Sequence, residues 1–175
     1  MSRTRAMLVI GAAVALLGVA SPSAGASSAS AANVLISRGA LADLSPGTVD
    51  PTDGASGMAV AVSHGGWTHV VMILKDLDAA QAGVVHGAHV HVGPCVAGSG
   101  AAAGPHFNAT GGSVINESTE VWLDFRVGRS GNAIAWAWVP FVIPAGGANS
   151  IVIHAAPTAP NGTAGARLAC LPMVL

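Results

Sequence analysis

The chain has 175 residues, with seven Lys and Arg against eight Asp and Glu, and a formal net charge of −1. Charged residues make up only 9% and hydrophobic residues 51%, so there is no basic surface and nucleic acid is excluded as a partner. An anionic ligand would have to be drawn in by a local positive group, because the overall field does not attract it.

The first segment reads as a targeting leader. Arg3 and Arg5 give a basic start, residues 6–20 are apolar, and small residues follow. Ala24-Gly25-Ala26 and Ala29-Ser30-Ala31 both fit a small-x-small cleavage site, so the expected cut lies near 26 or 31. The apolar run falls short of the roughly 20 residues of a membrane span. With no cysteine near the cut, no lipid anchor is expected there. The expectation is an exported protein, secreted or extracytoplasmic, with a signal peptide over 1–31 and one domain over 32–175. Without Arg3 and Arg5, five basic residues face eight acidic ones, a net charge of −3.

Residues 33–44 read as a first strand region, and 45–57 as a turn-rich piece with Pro46-Gly47 and Asp53-Gly54 as breakers. Residues 58–62 and 67–74 are two strands around Ser63-His64-Gly65-Gly66, a hairpin signal. Residues 76–83 are polar and small and lead into Val85-His86-Gly87-Ala88-His89-Val90-His91-Val92-Gly93-Pro94-Cys95. From 92 to 116 there is no period, only Gly, Ala, Pro and Ser, which marks a long functional loop.

Residues 120–127 alternate, with Val121, Leu123 and Phe125 against Trp122, Asp124 and Arg126. Residues 132–139 set Ile134, Trp136 and Trp138 against alanines. Residues 150–155 form a short apolar strand that reaches His154, 157–165 a second loop, and 167–174 the last strand. About eight short strands with turn signals between them, and no helical stretch after the leader, define an all-β domain: an antiparallel, immunoglobulin-like sandwich or barrel.

His89 and His91 are two apart on a strand, so their side chains leave the same face about 7 Å apart and can share one metal ion. His106, in the long loop, and His154, at a strand end, supply two more imidazoles. Four imidazoles suit a tetragonal copper(II) site. Cys95 and Cys170 lie in the exported part, where a single pair is most simply a disulfide, the alternative being a thiol metal site.

In this arrangement the chain resembles the copper/zinc superoxide dismutase family. The pieces that carry the likeness are His86-Gly87-Ala88-His89-Val90-His91, Gly104-Pro105-His106-Phe107-Asn108, Val152-Ile153-His154 and Ala164-Gly165-Ala166-Arg167-Leu168-Ala169-Cys170, in family order. The resemblance implies a Greek-key β-barrel with His89, His91, His106 and His154 as copper ligands. It also implies a catalytic Arg167 that orients the superoxide anion, a catalytic role for His106, and a Cys95–Cys170 disulfide. His86 matches a structural histidine.

The departures are equally specific. No histidine lies between His106 and His154, and Thr110-Gly111-Gly112 runs almost directly into the next strand, so the family's zinc site is expected to be absent. The loop over 155–165 is short and has no acidic residue, unlike the family's charged electrostatic loop. The pattern resembles the copper-only branch, where a carboxylate beside His106 becomes useful; Glu117 and Glu120 are the nearest candidates.

Three functions compete. The first is a copper-dependent superoxide dismutase, with superoxide as its small-molecule substrate. The second is a copper-binding or buffering protein without turnover. The third is a structural β-domain, since His-Val-His-Val-Gly-Pro is also similar to chordin-type extracellular domains. His106, His154 and Arg167 favour the first. No oligomeric state is specified.

Overall fold

The alternation in the sequence resolves into two four-stranded antiparallel sheets in a computed structural model that describes residues 32–173. The leader and its cleavage sites lie outside the described residues. The strands are β1 (Asn33–Ala40), β2 (Ala42–Asp43), β3 (Ser56–His64), β4 (Trp67–Lys75), β5 (Val85–His86), β6 (Ala88–His91), β7 (Phe125–Arg126), β8 (Ala133–Val139), β9 (Ser150–His154) and β10 (Arg167–Pro172). The first sheet runs β1-β3-β4-β8 and the second β2-β10-β9-β6, with β5 and β7 as a small third pair. The result is an all-β sandwich. β8 returns to lie beside β4 after the chain has visited the second sheet, the non-local return that a Greek key requires.

The expected first strand region divides. β1 pairs with β3, whereas β2 crosses to β10 in the other sheet. The β3–β4 hairpin closes between His64 and Trp67, leaving Gly65 and Gly66 as its two turn residues, both at positive φ (58° and 86°). Such a turn is open to glycine because it carries no Cβ. The helix content of the described residues is two 3₁₀ turns, Ala79–Gln81 and Gly100–Ala103.

The core lies between the sheets. Leu35, Val70, Met72 and Leu74 face Val90, Ile151, Ile153 and Leu171, and Val121, Leu123 and Phe125 enter beside them. On β8 it is the alanines that point inward, Ala133 and Ala135 buried, while Ile134, Trp136 and Trp138 face solvent. In residues 120–127 only Phe125–Arg126 pairs as strand, yet Val121, Leu123, Phe125 and Val127 are all buried, so the period-2 burial persists where the ladder does not.

β6 and β9 are buried at every position. Ala88 and Val90, like Ile151 and Ile153, fill the core; His89, His91 and His154 leave the opposite face and are covered by loops. Cys95, in the covering loop, is disulfide-bonded to Cys170 on β10, 75 residues away. Closing a loop of that length is worth roughly 4 kcal/mol in the chain-entropy model. Replacing both cysteines by serine should therefore lower the unfolding free energy by about 2–5 kcal/mol in urea titrations of oxidised protein. An unchanged midpoint would show that the bridge does not stabilise the sandwich.

Candidate metal centre

His89 and His91 leave β6 on one face, as the strand period dictates. Two local pairings bring up the rest: His91 forms an isolated bridge with His106, and β6 pairs with β9 so that His154 follows one strand-end further. The ring centroids of His106 lie 4.1 Å from His89 and 4.7 Å from His91, and His154 is 4.9 Å from His89. Each of the four offers one nitrogen to a common point, and these atoms lie within 4.8 Å of one another. His89, His91 and His154 are buried and His106 half-buried.

The orientation of each ring is set through its other nitrogen. His91 Nδ1 donates to the Gly104 carbonyl at 3.1 Å, and His154 Nδ1 to the Gly165 carbonyl at 3.3 Å. His106 Nδ1 donates to Glu120 Oε2 at 2.8 Å. His89 is turned the other way: its Nε2 donates to Thr158 Oγ1 at 2.7 Å. The Thr158 hydroxyl in turn donates to Asp124, whose second oxygen accepts the Thr158 backbone N–H at 2.9 Å. The inward nitrogens are thus His89 Nδ1 and the Nε2 atoms of His91, His106 and His154.

Three of these inward atoms, on His89, His91 and His154, are buried without a hydrogen-bond partner. Buried polar atoms without partners are costly, and several of them aimed at one point fit a metal ion. The donors are neutral nitrogens at separations that small side-chain adjustments bring within bonds of about 2 Å. The set fits one ion.

Burial lowers the His89 pKa to about 2, with the neighbouring His106, His154 and His91 and then Arg167 adding to it. Burial likewise lowers His91 to about 3 and His154 to about 4, partly offset by their hydrogen bonds to Gly104 and Gly165. The imidazoles are therefore held neutral, the form a metal requires. Burial pushes the Glu120 carboxyl up. Hydrogen bonds from Trp122 Nε1 (2.9 Å), His106 and Asn108 Nδ2 (3.1 Å) together outweigh it, and Glu120 ends below the usual carboxylate range.

Beside the cluster opens a cleft of about 880 Å³, walled in part by Phe107, Ile115 and Asn161, with His106, His154 and Arg167 at its lining. Among its lining residues Arg167 is the only arginine or lysine. β10 pairs Arg167 with His154, and its guanidinium donates to the carbonyls of Gly100 (2.6 Å) and Gly104 (2.8 Å). Burial lowers its pKa, but an arginine stays charged.

Of the residues singled out by sequence, the structure brings together His89, His91, His106, His154, Arg167 and Glu120. Glu117 stays exposed. His86 is buried apart from the set, donating from Nδ1 to the His154 carbonyl at 2.9 Å and stacked on Phe125. His64 and His69 lie exposed on the first sheet. Thr158 had no site signal in the sequence; Asn108 lies in the piece around His106, and Trp122 and Asp124 on one face of the 120–127 alternation, with no role assigned to them by sequence. No protein-family model matches the chain, and no curated protein matches it.

Two outcomes follow. Thr158→Val, which leaves His89 Nε2 without an acceptor, should weaken metal binding by about 10–100-fold in competition titrations; an unchanged affinity would show that the hydroxyl does not hold the ring. The second concerns pH. The three folded-state histidine pKa values lie below the ordinary 6.5, so the unfolded chain takes up protons first as pH falls. The stability of metal-free protein should thus be complete above pH 6.5. Below it, each of the three should cost up to ~1.4 kcal/mol per pH unit, until its own folded pKa is reached. His154→Gln should remove one such slope in denaturant titrations at pH 7 and 5, and a flat wild-type profile would contradict the assignment.

Proposed function

We propose that the chain is an exported, copper-dependent superoxide dismutase with one metal per site. The observation that carries this reading is the pairing of a four-imidazole cluster with an adjoining cleft that His106 and His154 line together with a lone arginine, Arg167. Four neutral imidazoles without thiolate favour copper among the common divalent ions. A copper store has little use for an anion guide, and a structural domain has little use for three convergent buried nitrogens without hydrogen-bond partners.

Copper, when bound, supplies a one-electron couple, so that two superoxide ions and two protons become dioxygen and hydrogen peroxide. The residues supply the rest. Arg167 draws the anion into a cleft whose one lining carboxylate, Glu120, is engaged by three donors. The guanidinium is fixed by two carbonyls and keeps donors over for the incoming oxygen atoms. Glu120 fixes the His106 tautomer, keeping the Nδ1 proton in place and Nε2 free. The family that the sequence resembles would hold a zinc ion beside the residue that matches His106; here a carboxylate takes His106 Nδ1, and we read the chain as the one-metal variant. The open cleft gives bulk water access for the two protons.

Copper titration should saturate at one ion per chain, and the loaded protein should consume superoxide. His154→Ala should lose both properties. Tight copper binding without superoxide loss would instead make the chain a copper buffer, and no stoichiometric binding would remove both readings. Arg167→Ala should slow the reaction by about tenfold or more at low ionic strength and flatten its salt dependence, with copper still bound. Arg167→Lys, which keeps the charge, should recover part of the salt dependence. Equal wild-type and Arg167→Ala rates at low ionic strength would exclude the anion-guiding role.

A further inference from the structure

The first sheet leaves its outer face largely apolar, with His64 and His69 toward the hairpin end. Strand register aligns its outward side chains in rows, and the central row is Ile36, Val60, Val71 and Trp136. The row on one side is Val34, Val62, His69 and Trp138, with the His69 ring 5.8 Å from that of Trp138, and the row on the other is Arg38, Met58, Ile73 and Ile134. Trp67 follows at the hairpin end, with its ring 6.0 Å from that of Trp138. The only lysine or arginine side chains on this face are Arg38 and Lys75, both at one end.

The extent of this surface is the decisive quantity. At 48%, 69% and 64% exposed, Trp67, Trp136 and Trp138 leave roughly 450 Å² open, taking about 250 Å² for a whole tryptophan. Val34 (60% exposed), Ile36 (65%), Ile134 (63%) and Met58 (38%) bring the face to roughly 800 Å², beyond the ~300–600 Å² of the largest patch on an ordinary monomer. A standard protein interface buries about 800 Å² on each side.

We infer that this face is the interface of a homodimer, in which two copies stack their first sheets across a two-fold axis. Three observations select a second copy as the occupant. The area matches one half of a stable interface. The face is almost free of charge, so its complement must be apolar too, and the face itself meets that requirement. A two-fold axis that runs the strands of the two copies in opposite directions carries the Arg38–Lys75 ends apart, so the like charges do not meet. Sheets stacked in this way pack about 10 Å apart with interdigitating side chains. The geometry of the tryptophans agrees: Trp67 and Trp138 stand at 81° to each other, giving a corrugated surface rather than the parallel ring faces that a flat glycan would need.

The arrangement leaves the metal centre free. The histidines leave the second sheet on its outer side, away from the first, so each copy of the dimer would present its cleft outward.

The test is sedimentation of the full chain, expressed for export and purified, from 1 to 100 μM, together with its tryptophan emission. The expected result is a dimer whose emission shifts to the red on dilution. Trp136→Glu should raise the dissociation constant at least 100-fold, and Trp136→Phe by less than tenfold. In both variants metal stoichiometry per chain should be unchanged, which separates loss of the interface from loss of the fold. If Trp136→Glu loses its metal, Ile36→Glu on β1 replaces it as the reporter. A wild-type monomer at 100 μM would overturn the inference, as would association that neither glutamate substitution weakens. So would a wild-type monomer that binds mixed anionic vesicles or insoluble polysaccharide through Trp136.

Discussion

Four imidazoles can occupy one small volume only if each is gripped by the nitrogen it does not offer. This constraint organises the second sheet and its loops. The four grips differ: a carbonyl from the loop before His106, a carbonyl from the loop before β10, a carboxylate, and a hydroxyl backed by a carboxylate. They come from three stretches of chain, the loop before His106, the segment of Glu120, and the β9–β10 loop that supplies both Thr158 and Gly165, so the ring orientations report that the loops have closed correctly. Clustered imidazoles without these acceptors would be free to rotate, or to take protons and repel one another.

The carbonyl of Gly104 binds the metal centre to the cleft. It accepts both His91 Nδ1 and the Arg167 guanidinium, so a ring of the histidine cluster and the arginine of the cleft share one atom. Gly104 sits at φ 66°, a conformation that favours glycine, and a Cβ there would come within 3.1 Å of Val92. The Cys95–Cys170 bridge ties the same loop to the strand that carries Arg167. Loop position, ring orientation and the placement of charge are therefore one mechanical unit. Gly87 plays a similar part on the other side, because a Cβ would stand 2.7 Å from Thr158 Oγ1 and push away the hydroxyl that holds His89.

The residues that point at the centre were legible in the sequence, and the residues that hold them were not. His89 and His91 declare themselves by strand spacing, and His106, His154 and Arg167 by motif order. Glu120 and Glu117 stood side by side as candidates; the Asn108–Glu120 bridge decides between them, and such a pairing leaves no trace in composition. Thr158 lies in a loop of small residues, and its partner Asp124 is far away in sequence. The sandwich followed from strand number and turn signals. The break at Leu41, which sends β1 and β2 to different sheets, did not, because both sides of it carry the same mixture of small and apolar residues. Nor did alternation alone reveal which face of β8 meets the core. Alanine went inward because Met72 and Leu74 already fill that space, and the larger tryptophans were left outside.

The two sheets have accordingly taken opposite roles with the same period-2 code. On β6 and β9 the second face of the strand is covered by loops and given over to polar nitrogens. On β4 and β8 the second face is uncovered and given over to apolar surface. A buried polar cluster needs rigid partners on every side, and the core behind Ala88, Val90, Ile151 and Ile153 provides that rigidity from one direction while the disulfide-bound loop provides it from the other. An uncovered apolar face needs only another surface. If two copies meet through it, the first sheet of each becomes buried on both sides like the second. The rigid backing of the metal centre would then extend through the sandwich to the two-fold axis.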